Sequence, residues 1–163
     1  MRKFLVAFVV VAAASLTFWA VAASATSGAH FFSARGAVAD NGNLVVSFDE
    51  AGVGQQTVNL SFTATGSATY ACINGGGNHP KASNKQTVNG PVGASGSFAP
   101  TKNGRVTGSL SAPPPPSTLV CPSGQTFVLA CVTYTGITLT DNTNGVTASI
   151  ADVSRTFVNS PGC

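Results

Sequence analysis

Apolar and polar residues alternate with a period of two over most of the chain after residue 26. In the segment 58–64, the apolar residues Val58, Leu60, Phe62 and Ala64 are each separated by one Asn, Ser or Thr. Such alternation gives a segment one apolar and one polar face, which is typical of a half-buried antiparallel β-strand. The same pattern predicts strands around four further sets of apolar positions: Leu44, Val46 and Phe48; Ala68, Tyr70 and Cys72; Val106 and Leu110; Val146, Ala148 and Ile150.

One segment departs from simple alternation. Residues 127–134, with the sequence FVLACVTY, are apolar in both phases, which predicts a central strand. After this segment the phase changes, because Tyr134 and Ile137 would point to opposite faces of a regular strand. A β-bulge at Gly136 would return Ile137 and Leu139 to the core face, so we predict a bulge there.

Turn signals separate these strands. Asn41-Gly42, Asn103-Gly104 and Asn144-Gly145 are dipeptides that tolerate positive φ and close hairpins. We therefore predict one hairpin over 98–110 and another over 137–150. No helical period of convincing length follows residue 26. Many short strands separated by turns predict an all-β fold, namely a single-domain antiparallel β-sandwich of immunoglobulin-like or Greek-key type with two disulfides.

The N-terminus has the three parts of a secretory signal peptide. A positive start, Met1-Arg2-Lys3, precedes an apolar stretch from Phe4 to Ala22, and Ala23-Ser24-Ala25 supplies the small residues of a cleavage site. We predict a signal peptide over 1–25, with cleavage before Thr26; an uncleaved membrane anchor is the alternative, because the apolar stretch is long. Residues 26–163 would then be secreted, with no membrane contact after cleavage.

Charge excludes one class of partner. Without the signal peptide the chain keeps six basic and five acidic residues, a net charge of +1. Nucleic-acid binding requires a basic face that contacts several phosphates, so we expect no nucleic-acid partner. The secreted part has no Trp and two Tyr, which argues against sugar binding on an aromatic platform, although hydrogen bonding to sugars from loops stays open.

Four cysteines lie in the secreted part: Cys72, Cys121, Cys131 and Cys163. An even number in an exported chain predicts two disulfides, and three pairings are possible. Pairing of Cys121 with Cys131 is the least favourable, since mostly extended chain separates them. We favour Cys72 with Cys121, because each lies where a strand meets a turn-rich loop, and this leaves Cys131 for Cys163. No Cys-x-x-Cys motif is present, so we predict no metal site.

Two loops have unusual compositions. The loop 74–86 is rich in glycine, and three consecutive glycines are costly inside a regular strand. The loop 112–124 contains four consecutive prolines, which predict an extended, solvent-facing and stiff connection between sheets. We predict a recognition loop in the first of them, at Asn74, Gly75, Gly76, Gly77, Asn78, His79, Pro80 and Lys81.

Three segments resemble small secreted all-β proteins of actinobacteria that have no assigned function. They are VVSFDEAG at 45–52, YACINGGG at 70–77 and CPSGQT at 121–126. The resemblance implies export, and it implies no catalytic or binding residue.

The sequence shows no recognisable arrangement of catalytic residues. The two histidines are His30, close to the predicted cleavage site, and His79 in the glycine-rich loop, and no Gly-x-Ser-x-Gly motif is present. Asp49 and Glu50 are adjacent on a strand and therefore point to opposite faces, which makes them poor partners for acid–base chemistry. The turn after Asp141 resembles a calcium loop, but the required Glu does not follow.

From these observations we expect no catalytic residues and no cofactor. The leading expectation is a secreted or cell-envelope, non-enzymatic protein that acts through surface interaction with an extracellular protein or an envelope component. The alternative is an inhibitor of secreted proteases, which would present the loop 75–85 or 113–122 to the enzyme.

Overall fold

The chain forms β-strands with antiparallel pairing in a computed structural model that describes residues 28–74, 84–158 and 163. The predicted signal peptide, 1–25, lies outside the described residues. In chain order the strands are β1 (His30–Val38), β2 (Leu44–Ala51), β3 (Val58–Asn74), β4 (Lys85–Phe98), β5 (Arg105–Ala112), β6 (Gln125–Asp141), β7 (Val146–Ile150) and β8 (Val153–Thr156).

The strands form two sheets that pack face to face. One is three-stranded, with the order β1-β2-β5, and the other is five-stranded, with the order β4-β3-β6-β7 and with β8 also paired to β6. The first, second and fifth strands share one sheet, as they do in immunoglobulin-like sandwiches, but β4 lies in the other sheet beside β3. The predicted all-β sandwich is therefore confirmed, and β6 is a central strand as predicted.

The alternating apolar positions build the core. Leu44, Val46 and Phe48 on β2 face Leu60 and Phe62 on β3, and all of them are buried. Burial of each such side chain contributes roughly 1.5–3 kcal/mol to folding. Most outward positions in these strands are polar, with Val45 and Ala51 on β2 as exceptions, so the period of two in the sequence corresponds to the two faces of each sheet.

The predicted bulge at Gly136 is present. Thr63 pairs with Thr138 and Thr65 pairs with Thr135, so β6 has one extra residue between these pairs. Gly136 has a φ of 61°, a conformation that an L side chain rarely adopts. Because of this extra residue, the side chains of Tyr134 and Ile137 are both buried, with 0% and 1% of their surface exposed.

One of the two predicted hairpins is wrong. The hairpin over 137–150 is confirmed, with Ile137 paired to Ile150. The segment 98–110 is not a hairpin, because β4 pairs with β3 whereas β5 pairs with β2 in the other sheet. The turn at Gly104 reverses the chain, yet it carries the chain from one sheet to the other, and the Phe98 ring packs edge-to-face against Phe48 across the sandwich at 4.9 Å.

Both favoured disulfides are present. Cys72 is bonded to Cys121, and Cys131 is bonded to Cys163. The first joins the end of β3 to the proline-rich loop. The second ties the last residue of the chain to the central strand β6, as predicted.

The two sheets differ in length, and this difference determines what lies at one end of the sandwich. β3 and β6 are each 17 residues long, whereas β2 and β5 are 8 residues long. The three-stranded sheet therefore covers only part of the five-stranded one. Where it ends, the proline-rich segment 113–121 takes its place, and Pro115 is buried there. We call this end, where β3 ends and β4 and β6 begin, the distal end.

Candidate functional site

The predicted recognition loop connects the end of β3 to the start of β4, and both of these strand ends lie at the distal end. Asn74, its first residue, is the exposed last residue of β3, and β4 begins at Lys85. Gly75, Gly76, Gly77, Asn78, His79, Pro80 and Lys81 lie outside the described residues. At the base of the loop, Asn84 Nδ2 donates a hydrogen bond of 3.0 Å to Gln125 Oε1 at the start of β6. The base is thus attached to a neighbouring strand.

The proline-rich loop reaches the same end of the molecule. Gln86 Oε1 accepts hydrogen bonds from Ser117 Oγ at 2.6 Å and from the Thr118 backbone N–H at 3.0 Å. Gln86 Nε2 also donates to Thr118 Oγ1 at 3.1 Å. Together with the Cys72–Cys121 disulfide, these bonds hold the proline-rich loop against the end of β3 and the start of β4. The proline-rich loop therefore lies beside the two strand ends that the glycine-rich loop connects.

The expectation that the proline run faces solvent needs a correction. Pro113 and Pro116 are exposed, but Pro115 is buried and its carbonyl accepts a hydrogen bond of 2.8 Å from Tyr70 Oη. The physical reason is the shorter three-stranded sheet, which leaves the distal part of β3 without a cover. The run is still a connection between sheets, since it joins β5 to β6.

Two large apolar side chains are exposed at the distal end. Val120 is 86% exposed, next to the disulfide-bonded Cys121, and Phe127 is 45% exposed and stacks on the Tyr70 ring at 5.3 Å. We call Val120, Phe127 and the loop bases at Asn74 and Asn84 the distal surface. A mostly apolar groove of about 320 Å³ borders the next residues of β6, and it is lined by Asp40, Asn41, Val128, Leu129, Phe157 and Val158.

At the opposite end, the structure brings two acidic residues together inside the core. Glu50 on β2 and Asp141 at the end of β6 are both fully buried. Neither carboxyl oxygen of Glu50 has a hydrogen-bond partner among the described residues that meets normal geometry. Burial, followed by the negative charge of Asp141, raises the pKa of Glu50 to about 8. Glu50 is therefore protonated at neutral pH.

Asp141 is held by the turn that follows it. Its Oδ1 accepts hydrogen bonds from the backbone N–H groups of Thr143 at 2.7 Å and Asn144 at 3.2 Å, and its Oδ2 accepts one from Asn144 Nδ2 at 2.6 Å. This bonding of an Asp side chain to the backbone just after it is typical of turns. Both carboxyls are sealed from solvent, so this pair has no face on which a substrate can lie.

The sequence contained a signal for this pair that the apolar pattern alone misses. Glu50 continues the inward series Leu44, Val46 and Phe48, and Asp141 continues the series Ile137 and Leu139. An acidic residue in the buried phase of a strand predicts an interior carboxyl with a raised pKa. The prediction that Asp49 and Glu50 point to opposite faces is confirmed.

Asp49 takes part in a separate cluster on the outer face of the three-stranded sheet. Arg105 donates two hydrogen bonds to its carboxylate, one from Nε to Oδ1 at 2.7 Å, and this holds the pKa of Asp49 below its usual value. The same guanidinium lies 5.4 Å from the centre of the Phe32 ring, which a bulge in β1 leaves 67% exposed. His30 Nδ1 donates to the Gly28 carbonyl at 2.7 Å.

The described residues contain no group of three or more His, Cys, Asp or Glu side chains that could hold a metal ion. Within 28–74 and 84–158 there is also no helix of the length and apolarity needed to cross a bilayer. The two disulfides are compatible with an extracellular protein.

Comparison of the chain with protein-family models, with curated proteins and with solved structures finds no match. The resemblance to small secreted actinobacterial proteins therefore stays an expectation, and the proposals below depend on this chain's own residues.

Proposed function

We propose that this protein is an exported, non-enzymatic protein that binds an extracellular protein or an envelope component through its distal surface. The observation that carries the proposal is that the proline-rich loop lies beside the two strand ends that the glycine-rich loop connects, at one end of the sandwich. A disulfide and three hydrogen bonds of Gln86 hold the proline-rich loop there, and the bond between Asn84 and Gln125 fixes the base of the glycine-rich loop.

The distal surface combines two properties that favour binding. Its apolar side chains are exposed, and exposed apolar groups next to polar loops are typical of interaction sites. Its backbone is held in place before a partner arrives, so association would order fewer groups and lose less conformational entropy. Export is supported by the N-terminal sequence and by the two disulfides.

A capture experiment tests this proposal. Oxidised protein comprising residues 26–163 is immobilised and exposed to spent medium and washed wall fragments of the producing organism. We expect Val120→Asp to reduce retention of the partner at least tenfold, because a charge would be desolvated at the contact. Ser109→Asp is the matched control, since it places the same charge on an exposed position of β5. Equal retention by both variants would place the site elsewhere on the molecule.

A second candidate function, inhibition of secreted proteases, is favoured by one observation. The segment 117–122 has no regular secondary structure, its apex residue Val120 is 86% exposed, and the neighbouring Cys121 is bonded to Cys72. A protease accepts an extended segment, and a segment that is fixed on both sides dissociates slowly because little flexibility is lost on binding. In this candidate, Val120 would enter the specificity pocket of the enzyme.

The side chain at position 120 would then determine which protease is inhibited. We expect the unaltered protein to inhibit enzymes with a small apolar pocket at micromolar concentration. Val120→Lys should shift inhibition to trypsin-like enzymes, whose pocket contains an acidic residue. Activity assays against elastase-like, subtilisin-like and trypsin-like proteases measure this. If neither form inhibits any of these enzymes, protease inhibition is rejected as a function of this protein.

A further inference from the structure

Hydroxyl side chains predominate on the outer face of the five-stranded sheet. On β3 every second residue points outward, and these residues are Ser61, Thr63, Thr65, Ser67 and Thr69. β6 lies beside β3 and adds Thr133, Thr135, Thr138 and Thr140 to the same face. Rows of hydroxyl groups therefore follow both central strands.

The flanking strands continue the face. β4 contributes Thr87, Asn89, Ser95 and Ser97, and β7 contributes Thr147 and Ser149. Neighbouring rows are about 4.8 Å apart, and hydroxyls within a row about 6.7 Å, because these are the spacings of strands and of same-face residues. We call these outward side chains of β3, β4, β6 and β7 the hydroxyl face.

Charge distinguishes this face from the other sheet. The outward phase of β4 begins with Lys85 at the distal end of the sheet, but none of the described outward positions in 59–69, 87–97, 133–140 and 147–149 is charged. The three-stranded sheet of the same protein carries Arg35, Asp49 and Arg105 on its outer face. Strand propensity explains threonine in a sheet, but it does not explain why the central part of this face lacks charge while the other outer face carries it.

The central hydroxyls are available for new hydrogen bonds. Within the described part of the chain, Thr69 and Thr87 bond each other at 2.9 Å, and Ser97 donates to Asn59 at 2.6 Å. The hydroxyls of Thr63, Thr65 and Thr138 have no partner among the described residues. Each hydroxyl can donate one hydrogen bond and accept two.

We propose that the hydroxyl face binds a neutral polysaccharide. The central part of the face, away from Lys85 at its distal edge, has no basic side chain, so it does not suit nucleic acids or acidic polymers, which need cations. It also has none of the Trp, Tyr, Phe, Met or Arg anchors that protein interfaces favour, at the described positions. A neutral polysaccharide matches it, since such a polymer is uncharged and carries closely spaced hydroxyl groups that both donate and accept.

The geometry favours a polymer that can adapt to the protein. The bulge at Gly136 sets Thr135 and Thr138 three positions apart on β6, whereas their partners Thr65 and Thr63 on β3 are two positions apart. The rows of hydroxyls therefore do not form a strict lattice. A rigid crystalline surface would lose contacts across this offset, whereas a flexible chain can follow it. Each hydrogen bond is weak, and many along one chain add up through multivalency.

A sedimentation assay with the full secreted protein tests the proposal. The probes are swollen, non-crystalline but insoluble preparations of cellulose, chitin and a β-1,3-glucan, and we expect retention on at least one of them. The variant Thr63→Val, Thr65→Val, Thr138→Val should be retained at least tenfold less. Valine has the shape of threonine and favours strands, so thermal unfolding should show that the fold is kept.

The control removes three hydroxyls from the other sheet, by Ser47→Ala, Thr107→Val and Ser109→Ala, and should leave retention unchanged. If the triple variant does not fold, Thr63→Lys introduces one charge at the centre of the face and should also reduce retention. Failure of the unaltered protein to bind all three glycans, or equal retention of the triple variant, would overturn the proposal. A dimer in sedimentation velocity that the triple variant disperses would assign the face to a second copy of the chain and also overturn it.

This inference goes beyond the proposed function and can fail separately from it. Val120→Asp should leave glycan retention unchanged, because it alters the distal surface and not the hydroxyl face. Glycan retention that Val120→Asp abolishes and the threonine variants do not would therefore overturn the inference while supporting the distal surface.

Discussion

The free energy of unfolding should fall as the pH rises from about 5 to about 8, and Glu50→Gln should remove this dependence. Glu50 is fully buried, and the charged group that acts on it is Asp141 on β6. Its neighbours in the three-stranded sheet, Phe31 on β1 and Val106 on β5, carry no charge. The folded protein therefore holds a proton on Glu50 that the unfolded chain releases at lower pH.

The sign follows from proton linkage. The pKa of Glu50 is 4.5 in an ordinary carboxyl and about 8 in the folded protein. Between these values the folded state binds one proton more than the unfolded state, so stability decreases as pH rises, by up to about 1.4 kcal/mol per pH unit. Over the whole interval the loss is on the order of 4 kcal/mol. The side-chain amide introduced by Glu50→Gln would stay neutral at every pH and could donate a hydrogen bond to Asp141.

Denaturant unfolding at several pH values between 5 and 9 measures this effect. Asp49→Asn is the matched control, because Asp49 is the next residue but is paired with Arg105 at the surface, and its lowered pKa affects stability only in acid. The control should keep the slope of the unaltered protein. A flat profile for the unaltered protein, or an unchanged slope in Glu50→Gln, would contradict the role given to Glu50.

Local patterns in the sequence predicted the elements of this fold well. The period of two identified the inward residues of β2 and β3, and the phase change at Gly136 located a bulge to the residue. These features are local, since a strand's two faces and a glycine at positive φ need only a few consecutive residues to be recognised. The disulfide pairing followed from the positions of the cysteines relative to strand ends.

What the sequence did not predict depends on contacts between distant segments. A tight turn at Gly104 specifies that the chain reverses, but not whether the next strand joins the same sheet. The burial of Pro115 follows from the unequal lengths of two sheets, which no single segment reveals. The position of the proline-rich loop beside the ends of β3 and β4 likewise requires knowing that β3, β4 and β6 are neighbours.

The two disulfides should contribute equally to stability and very differently to the distal surface. Cys72–Cys121 spans 49 residues and Cys131–Cys163 spans 32. The entropy of loop closure predicts a loss of about 4 kcal/mol on removing either one. Only the first holds the proline-rich loop against the end of β3, so only its removal should free the segment that contains Val120.

Two double variants separate these effects, Cys72→Ala with Cys121→Ala and Cys131→Ala with Cys163→Ala. Denaturant unfolding should give similar losses of stability for both. Limited proteolysis, with cleavage sites mapped by mass spectrometry, should show cuts within 113–122 only in the first variant, under conditions where both remain folded. Partner capture through the distal surface should be lost in the first variant and kept in the second. Cleavage of this segment at equal rates in both variants would mean that the hydrogen bonds of Gln86 and Tyr70 hold it in place without the disulfide.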